Sequence, residues 1–505
     1  MSKTANLIRR SGLILFILSI LTLSATLFLG QFRLTNEILN RTLSPDHLQS
    51  LEPGLESMLD RNYESRIEFI ADFKSVLNTV NEKFRAEQKW DNVIYTDYTF
   101  LLVKAASHGV IIEYSGLIFF AGIGLMIIAA LLYILPAVQE NPGIKNNSIW
   151  DKSATSRGWI GIITGTWLIL FYILLYEFPE YISNWVILVD PISIWLNGSP
   201  ASQWFLYGLM YTLAILVMGV RMLIKYRHSK YQQIRTLANI FFQTCFAFIL
   251  VQILQSLNLP AVDLKNIWPL DYSFFFDYRL DELMRSGMIG FFMLGWGIAL
   301  FLIAVPLMTY FFGKRWYCSW VCGCGGLAET LGDPYRQLSD KSLLTWKIER
   351  WMIHLVLVFA VLMTGAVLYS YLSGDYEILG LSTYDIRSAY GFWIGSIFSG
   401  IIGVGFYPFM GSRVWCRFGC PLAAYLGLIQ RFKSRFRITT NGGQCISCGN
   451  CSTYCEMGID VRWYAERGED IVRSSCVGCG ICSAVCPRGV LKLENGTVSL
   501  DEQLF

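Results

Sequence analysis

Apolar residues recur along this chain in eight long runs, near 11–30, 115–137, 158–176, 204–223, 238–257, 288–312, 351–371 and 391–410. Each run is about as long as a helix needs to cross a hydrocarbon core of roughly 30 Å. The pattern predicts a mainly α protein, a polytopic membrane helix bundle. Two regions break it. Residues 31–110 are polar, and Leu59, Ile67, Ile70, Phe73, Val76, Leu77 and Val80 fall at helical spacing, which predicts a small helical domain outside the membrane. Residues 441–505 are rich in cysteine and glycine. The expected organisation is an anchor helix over 1–30, an extracytoplasmic domain over 31–110, a transmembrane bundle over 111–440 and a cytoplasmic domain over 441–505.

Composition agrees with a membrane protein: 54% of the 505 residues are hydrophobic and 16% charged, against about a quarter charged in soluble domains. A net charge of +3 is too small to imply a nucleic-acid partner. Its distribution says more. Eight spans put both termini on one side. On that side fall Lys145, Lys152 and Arg157, then Arg221, Lys225, Arg227, Lys230 and Arg235, then Lys314, Arg315, Arg336, Lys341, Lys347 and Arg350. The opposite loops hold no Lys or Arg over 177–203, Arg387 alone over 372–390, and Lys265, Arg279 and Arg285 over 258–287. Basic residues stay inside, so both termini are expected in the cytoplasm. The first run is long for a signal peptide and no clear small-x-small site follows, so it reads as an uncleaved anchor.

Thirteen of the 14 cysteines lie after residue 317. Cys445, Cys448, Cys451 and Cys455 have the spacing Cys-x2-Cys-x2-Cys-x3-Cys. Cys476, Cys479, Cys482 and Cys486 repeat it, followed by Pro487. This is the spacing of a two-cluster bacterial ferredoxin, in which the fourth cysteine of each run serves the other cluster. It predicts one [4Fe–4S] cluster on Cys445, Cys448, Cys451 and Cys486 and a second on Cys476, Cys479, Cys482 and Cys455, within an α+β ferredoxin-like domain. Gly449, Gly478 and Gly480 suit a backbone bent close to inorganic sulfide. The first run ends Cys455-Glu456, without the proline. Clustered thiols need a reducing compartment, which agrees with the charge-based topology.

A second cysteine set sits in an internal repeat. Gly313-Lys-Arg315-Trp-Tyr-Cys318-x3-Cys322 matches Gly411-Ser-Arg413-Val-Trp-Cys416-x3-Cys420, each copy at the end of an apolar run. Residues four apart share a helix face, so each pair can grip one centre. Cys318, Cys322, Cys416 and Cys420 are therefore a candidate third metal site, a redox-active dithiol set or structural thiols. Cys324 has no counterpart in the second copy, and Cys245, alone in a run, reads as a core residue.

The two Arg-x-x-Cys-x3-Cys motifs followed by a two-cluster tail resemble the NosR/NapH membrane iron–sulfur proteins, a plan largely shared by the copper-oxidase accessory family CcoG. The resemblance covers about 288–505. The second motif, Cys416-x3-Cys420-Pro421, is close to the family's Cys-x3-Cys-Pro; the first has Gly323 and Cys324 instead. The resemblance implies a bacterial cytoplasmic membrane protein passing electrons between the quinone or quinol pool, or a cytoplasmic donor, and a respiratory or maturation partner, in the manner of a quinol dehydrogenase subunit working in a complex. A copper-handling maturation factor using the membrane-edge cysteines is the alternative. His354, near the inside end of a run, is a candidate proton acceptor for a quinol or a packed side chain. His228 is expected in solvent or at headgroups. Glu113, Glu177 and Asp190 read as interface residues, and Trp159, Trp204, Trp316, Trp351, Trp393 and Trp415 as an interfacial belt.

Overall fold

A computed structural model of the chain describes residues 2–89, 92–94, 97–142, 154–378 and 380–495. Lys145 and Lys152, counted above as inside charges, lie outside the described residues. Among the described residues, eight helices are long and apolar enough to cross a membrane: Lys3–Phe28, Ser115–Gln139, Trp159–Glu177, Gln203–Lys225, Lys230–Ser256, Gly287–Phe312, Leu343–Ser373 and Thr383–Gly405. The last, fifth and seventh begin well before the apolar runs that announce them. The fifth shows why: its first turns carry Gln232, Arg235, Thr236 and Asn239, all buried. Their polarity hides the helix from a hydropathy reading, yet they face protein, not lipid.

The chain divides into two compact units, one of residues 1–136 with 173–209 and one of 137–172 with 210–505. In the first, helices Asn36–Thr42, Pro45–Leu55, Arg66–Ala86 and Thr99–Ala106 surround a core that includes Phe32, Leu34, Leu51, Phe69 and Phe73. A small antiparallel sheet joins them, with 31–33 between 62–63 and 107–108. Strands this short leave no alternation to read, so the sequence predicted a mostly helical domain without placing them. Segment 177–203 closes over this core through ions. Lys74 Nζ pairs with buried Glu180 at 2.8 Å, Lys104 Nζ with Asp190 at 2.7 Å, and Arg66 donates to the Tyr181 carbonyl. Asp190 is thus a structural anchor, also accepting the Ala201 N–H at 2.6 Å, and not simply an interface residue.

In the second unit, the stretch between the fifth and sixth spans turns back along them. Trp296 Nε1 donates to the Leu264 carbonyl at 2.8 Å, and Trp268 Nε1 to Thr364 Oγ1 at 3.1 Å. The Trp268 ring lies 5.2 Å from that of Phe301, and Phe274 packs where a side chain on Gly297 would sit. At 1.5 Å rise per residue, Phe301 is about 21 Å from the Gly287 end of its helix and Thr364 about 14 Å from the Ser373 end. The stretch therefore re-enters the bundle. Irregular backbone at that depth is tolerated where protein encloses it. Lys265, expected in an exposed loop, is buried and paired with Asp263 at 2.7 Å. Tyr317, beside Cys318, donates its hydroxyl to the Lys265 carbonyl at 3.0 Å.

The cysteine-rich end forms an α+β fold. Strand Phe436–Thr440 pairs antiparallel with Leu491–Asn495, Ile438 opposite Leu493, and between them lie the short helices Asn450–Thr453, Val461–Arg467 and Ile481–Ala484.

Phe69 is fully buried, its ring 5.8 Å from Phe32 and 5.3 Å from Tyr63. Phe69→Ala should destabilise the first unit by about 3–5 kcal/mol. Limited proteolysis of the purified chain should then cut within 31–110 while the iron content stays at the wild-type value.

Candidate metal centres

The two halves of the cysteine-rich domain build the same local structure. Ser447 and Gly478 both turn to positive φ, 55° and 61°, in the loop between the first two cysteines of each run. Gly449 and Gly480 follow at 77° and 72°, each capping a one-turn helix that carries the third cysteine. These left-handed positions wrap three thiols round one centre. One cavity is lined by Cys445, Cys448, Cys451 and Cys486, with Ile446, Pro487 and Leu491. A second is lined by Cys455, Cys476, Cys479 and Cys482, with Ile438, Ile471 and Val477. Burial pushes the Cys451 thiol up to about 12 and Cys476 to about 11. Such thiols ionise when a metal takes the charge.

The cavities differ in their surroundings. Cys448 is exposed. The loop of the second cavity is clamped by residues of the fifth span, the first thiol motif and helix Pro421–Lys433: Tyr231 Oη donates to Gly478 O at 2.8 Å, Gln232 to Cys479 O at 2.9 Å, Ser319 Oγ to Val477 O at 2.8 Å and Gln430 to Cys476 O at 2.8 Å. His228 is exposed, as expected, and its Nε2 lies 2.8 Å from Ala484 O.

Cys318, Cys322, Cys416 and Cys420 are all buried in one apolar cluster with Tyr317 and Trp415. Both copies of the repeat fold alike. Cys322 N–H donates to Tyr317 O and Cys420 N–H to Trp415 O, in each case five residues back. The pair is thus held on a widened turn, the kind found at functional sites, and not on a regular helical turn. Cys322 and Cys420 each precede a helix, Gly323–Thr330 and Pro421–Lys433. Gly323 takes the place of Pro421 without altering the turn, so the departure in the first motif is structurally absorbed. Arg413 links the copies, donating to Cys318 O at 3.2 Å and Cys416 Sγ at 3.5 Å. Gly325 is required because a Cβ there would lie 2.0 Å from Cys318 O. Cys324 hydrogen-bonds Cys322, which pushes the Cys322 thiol down; Lys265 and Arg413 act the same way against burial. Trp415 belongs to this core and not to the interfacial belt.

A buried ion network joins these sites, and hydropathy reading missed it. Glu329 Oε1 lies 2.6 Å from Arg413 Nη2 and 2.7 Å from Arg235 Nη1, and its carboxylate also accepts from Arg336. The Arg235 N–H groups do not aim along that line, so that contact is electrostatic only. Glu456, where a proline would end the first cysteine run, accepts from Arg336 Nη1 at 2.6 Å and Arg413 Nε at 3.0 Å. Asp333 binds Arg221 at 2.5 Å, Lys225 at 2.7 Å and Arg336 at 2.8 Å. Burial alone would raise the Asp333 carboxyl; Lys225, Arg221 and Arg336 override it and hold it well below the usual range. Carboxylate oxygens of Glu329 and Glu456 lie within 4.8 Å of Cys479 Sγ. Five cations thus face three carboxylates beside a cysteine cavity, an excess that suits an anionic thiolate centre.

Known proteins match at these sites. The family of 4Fe-4S dicluster domains covers residues 433–491. The family of 4Fe-4S binding domains matches twice, at 294–342 and 391–439, the two copies of the repeat with their cysteine pairs. The chain is 25% identical over 184 residues to YccM of Escherichia coli, a protein named for electron transport, covering 32% of this chain and 47% of that one. It is 29% identical over 173 residues to MauN of Paracoccus denitrificans, a ferredoxin-type protein named for methylamine utilization, covering 32% and 56%. MauN of Methylobacillus flagellatus is 26% identical over 157 residues, covering 30% and 52%. The chain spans about half the length of the curated relatives it matches. No solved structure matches it significantly. The chain is an iron–sulfur protein with ferredoxin-type 4Fe-4S domains and membrane-spanning helices, distantly related to YccM and MauN.

Glu456→Ala would leave Arg336 and Arg413 short of a buried partner, at a cost of about 3–5 kcal/mol. Glu456→Gln keeps an acceptor and should cost less. Thermal unfolding of the holoprotein in detergent, followed by iron–sulfur absorbance, should rank wild type above Gln above Ala. An Ala variant melting with wild type would contradict this role.

Proposed function

We propose that this chain is a membrane electron-transfer relay with three cysteine-held centres in series. The observation that carries the reading is the paired four-cysteine cavities, clamped against a third buried thiol set. Cys445, Cys448, Cys451 and Cys486 hold the first cluster and Cys455, Cys476, Cys479 and Cys482 the second. Cys318, Cys322, Cys416 and Cys420 hold the third centre. [4Fe–4S] clusters bound at these positions would supply one-electron transfer.

The chain's own residues set the order. Cys448 exposes the first set to solvent, where a soluble redox partner can approach. Ser319, adjoining Cys318, hydrogen-bonds the carbonyl of Val477, adjoining Cys476, and so ties the second set to the third. Arg413 fixes the Cys416 thiol and, with Lys265 on the re-entrant stretch, brings positive charge to the third set. Apolar walls keep water from the inner sets. The basic loops favour a cytoplasmic ferredoxin-like domain in a bacterial inner membrane. The quinone or quinol pool is the lipid-phase partner in this reading, and a respiratory or maturation complex the other. The helical domain over 31–110, extracytoplasmic in this reading, serves partner docking. The NosR/NapH-like plan supports this scheme, as do the 4Fe-4S family matches at both copies of the repeat and at the cysteine-rich end.

Anaerobically purified protein should contain about twelve irons with matching acid-labile sulfide. The Cys416→Ser/Cys420→Ser variant should fall to about eight and keep the coupled EPR signals of the first two clusters. About eight irons in wild type would remove the third cluster. Clusters that stay oxidised when menaquinol or ubiquinol is added would remove the quinol link.

A further inference from the structure

A cavity of about 330 Å³ opens between the start of the seventh span, helix Pro421–Lys433 and residues 472–475. It is separate from the cysteine cavities, although Cys416 contributes to its wall. Lys314, Arg350, Arg431 and Arg473 line it together with His354. Its single lining carboxylate, Glu349, is engaged by Arg417 at 3.0 Å. The concentration of positive charge is therefore not met from within.

The cations are also arranged. Lys314 is buried at the base, where its ammonium donates to Ala423 O at 3.1 Å. Arg473 is fixed by Tyr464, its Nε donating to the hydroxyl at 2.7 Å. The guanidinium groups of Arg350 and Arg473 lie 5.9 and 5.7 Å from the centre of the Trp346 ring. Arg350 and Arg431 stand exposed at the rim. Guanidinium groups recognise planar oxyanions through paired N–H donors.

We propose that this cavity binds the phosphate of an anionic membrane phospholipid. Two sources can offer that chemistry, a lipid headgroup or a free phosphate. The lipid is favoured by what adjoins the rim. Val358 and Val361, one and two turns beyond His354, continue its side of the helix as an exposed apolar stripe, and Phe432 lies exposed beside Arg431. Acyl chains would run along that stripe with the headgroup held among the cations, as in basic pockets between helices on the cytoplasmic side. A neutral quinone ring has no use for four cations, and no free carboxylate lines the cavity to take its proton. His354, a candidate proton acceptor or a packed side chain from sequence, is then a phosphate hydrogen-bond partner. The bound lipid would bridge the seventh span and the ferredoxin-like domain.

The test is native mass spectrometry of the full iron-loaded chain released from nanodiscs of equal phosphatidylglycerol and phosphatidylcholine. Wild type should retain phosphatidylglycerol selectively. The Arg350→Gln/Arg431→Gln variant should lose at least about tenfold of that selectivity. Lys347→Gln, which removes an exposed cation of the same helix outside the cavity, should keep it. The rim positions are exposed, so iron content should stay at the wild-type value in both variants. Equal retention of the two lipids, or unchanged selectivity in the double variant, would overturn the proposal. Displacement of the lipid by millimolar inorganic phosphate would overturn the lipid source, and displacement by a short-chain quinone would return the cavity to the electron-transfer reading.

Discussion

The contacts of Glu456 decide how the second unit holds together. This carboxyl follows a cysteine of the second cavity and lies fully buried between Arg336 and Arg413. Both arginines also bind Glu329, on the helix that follows Cys322. Arg336 continues to Asp333 and thereby to Arg221 and Lys225. One connected set of charges thus joins the fourth and fifth spans, both copies of the thiol repeat and the ferredoxin-like domain. Buried ions are costly to desolvate, so such a network adds little net stability over an apolar core. What it adds is uniqueness: any slip of the domain would strand several charges at once.

That constraint makes the second cavity an inner one. Its loop is hydrogen-bonded by Tyr231, Gln232, Ser319 and Gln430, whereas the first cavity presents Cys448 to solvent. The proposed series of centres needs no flexible domain, because carbonyls of the inner loop are already spent on Tyr231, Gln232, Ser319 and Gln430. The re-entrant stretch approaches the membrane-edge thiols, with the Lys265 carbonyl on Tyr317 and its ammonium near Gly323. The membrane-edge set is therefore enclosed from two directions.

The duplicated motif shows how a fold absorbs sequence drift. Gly323 and Pro421 occupy equivalent places and both begin a helix after the second cysteine of their pair. Proline is favoured at a first helical position because its missing N–H is not needed there. Glycine loses that preset φ, but its lack of a side chain suits a place where a Cβ would approach Gln243 Oε1 to 3.0 Å.

Much was legible along the chain. Eight spans follow from runs of apolar residues, because lipid admits little else over that length. The ferredoxin-type domain follows from cysteine spacing, since a tight loop fixes three thiols by local geometry alone. The thiol repeat was visible as a repeat. What remained hidden depends on partners distant in sequence. Arg235 and Arg336 read as inside-facing charges; only the fold shows them buried against Glu329, Asp333 and Glu456. Lys265 read as an exposed loop residue until the chain was seen to turn back into the bundle. Local patterns determined which segments span and which thiols cluster. Tertiary structure decided which charges pair, because a charge's cost and value depend on what surrounds it and not on its neighbours in the chain.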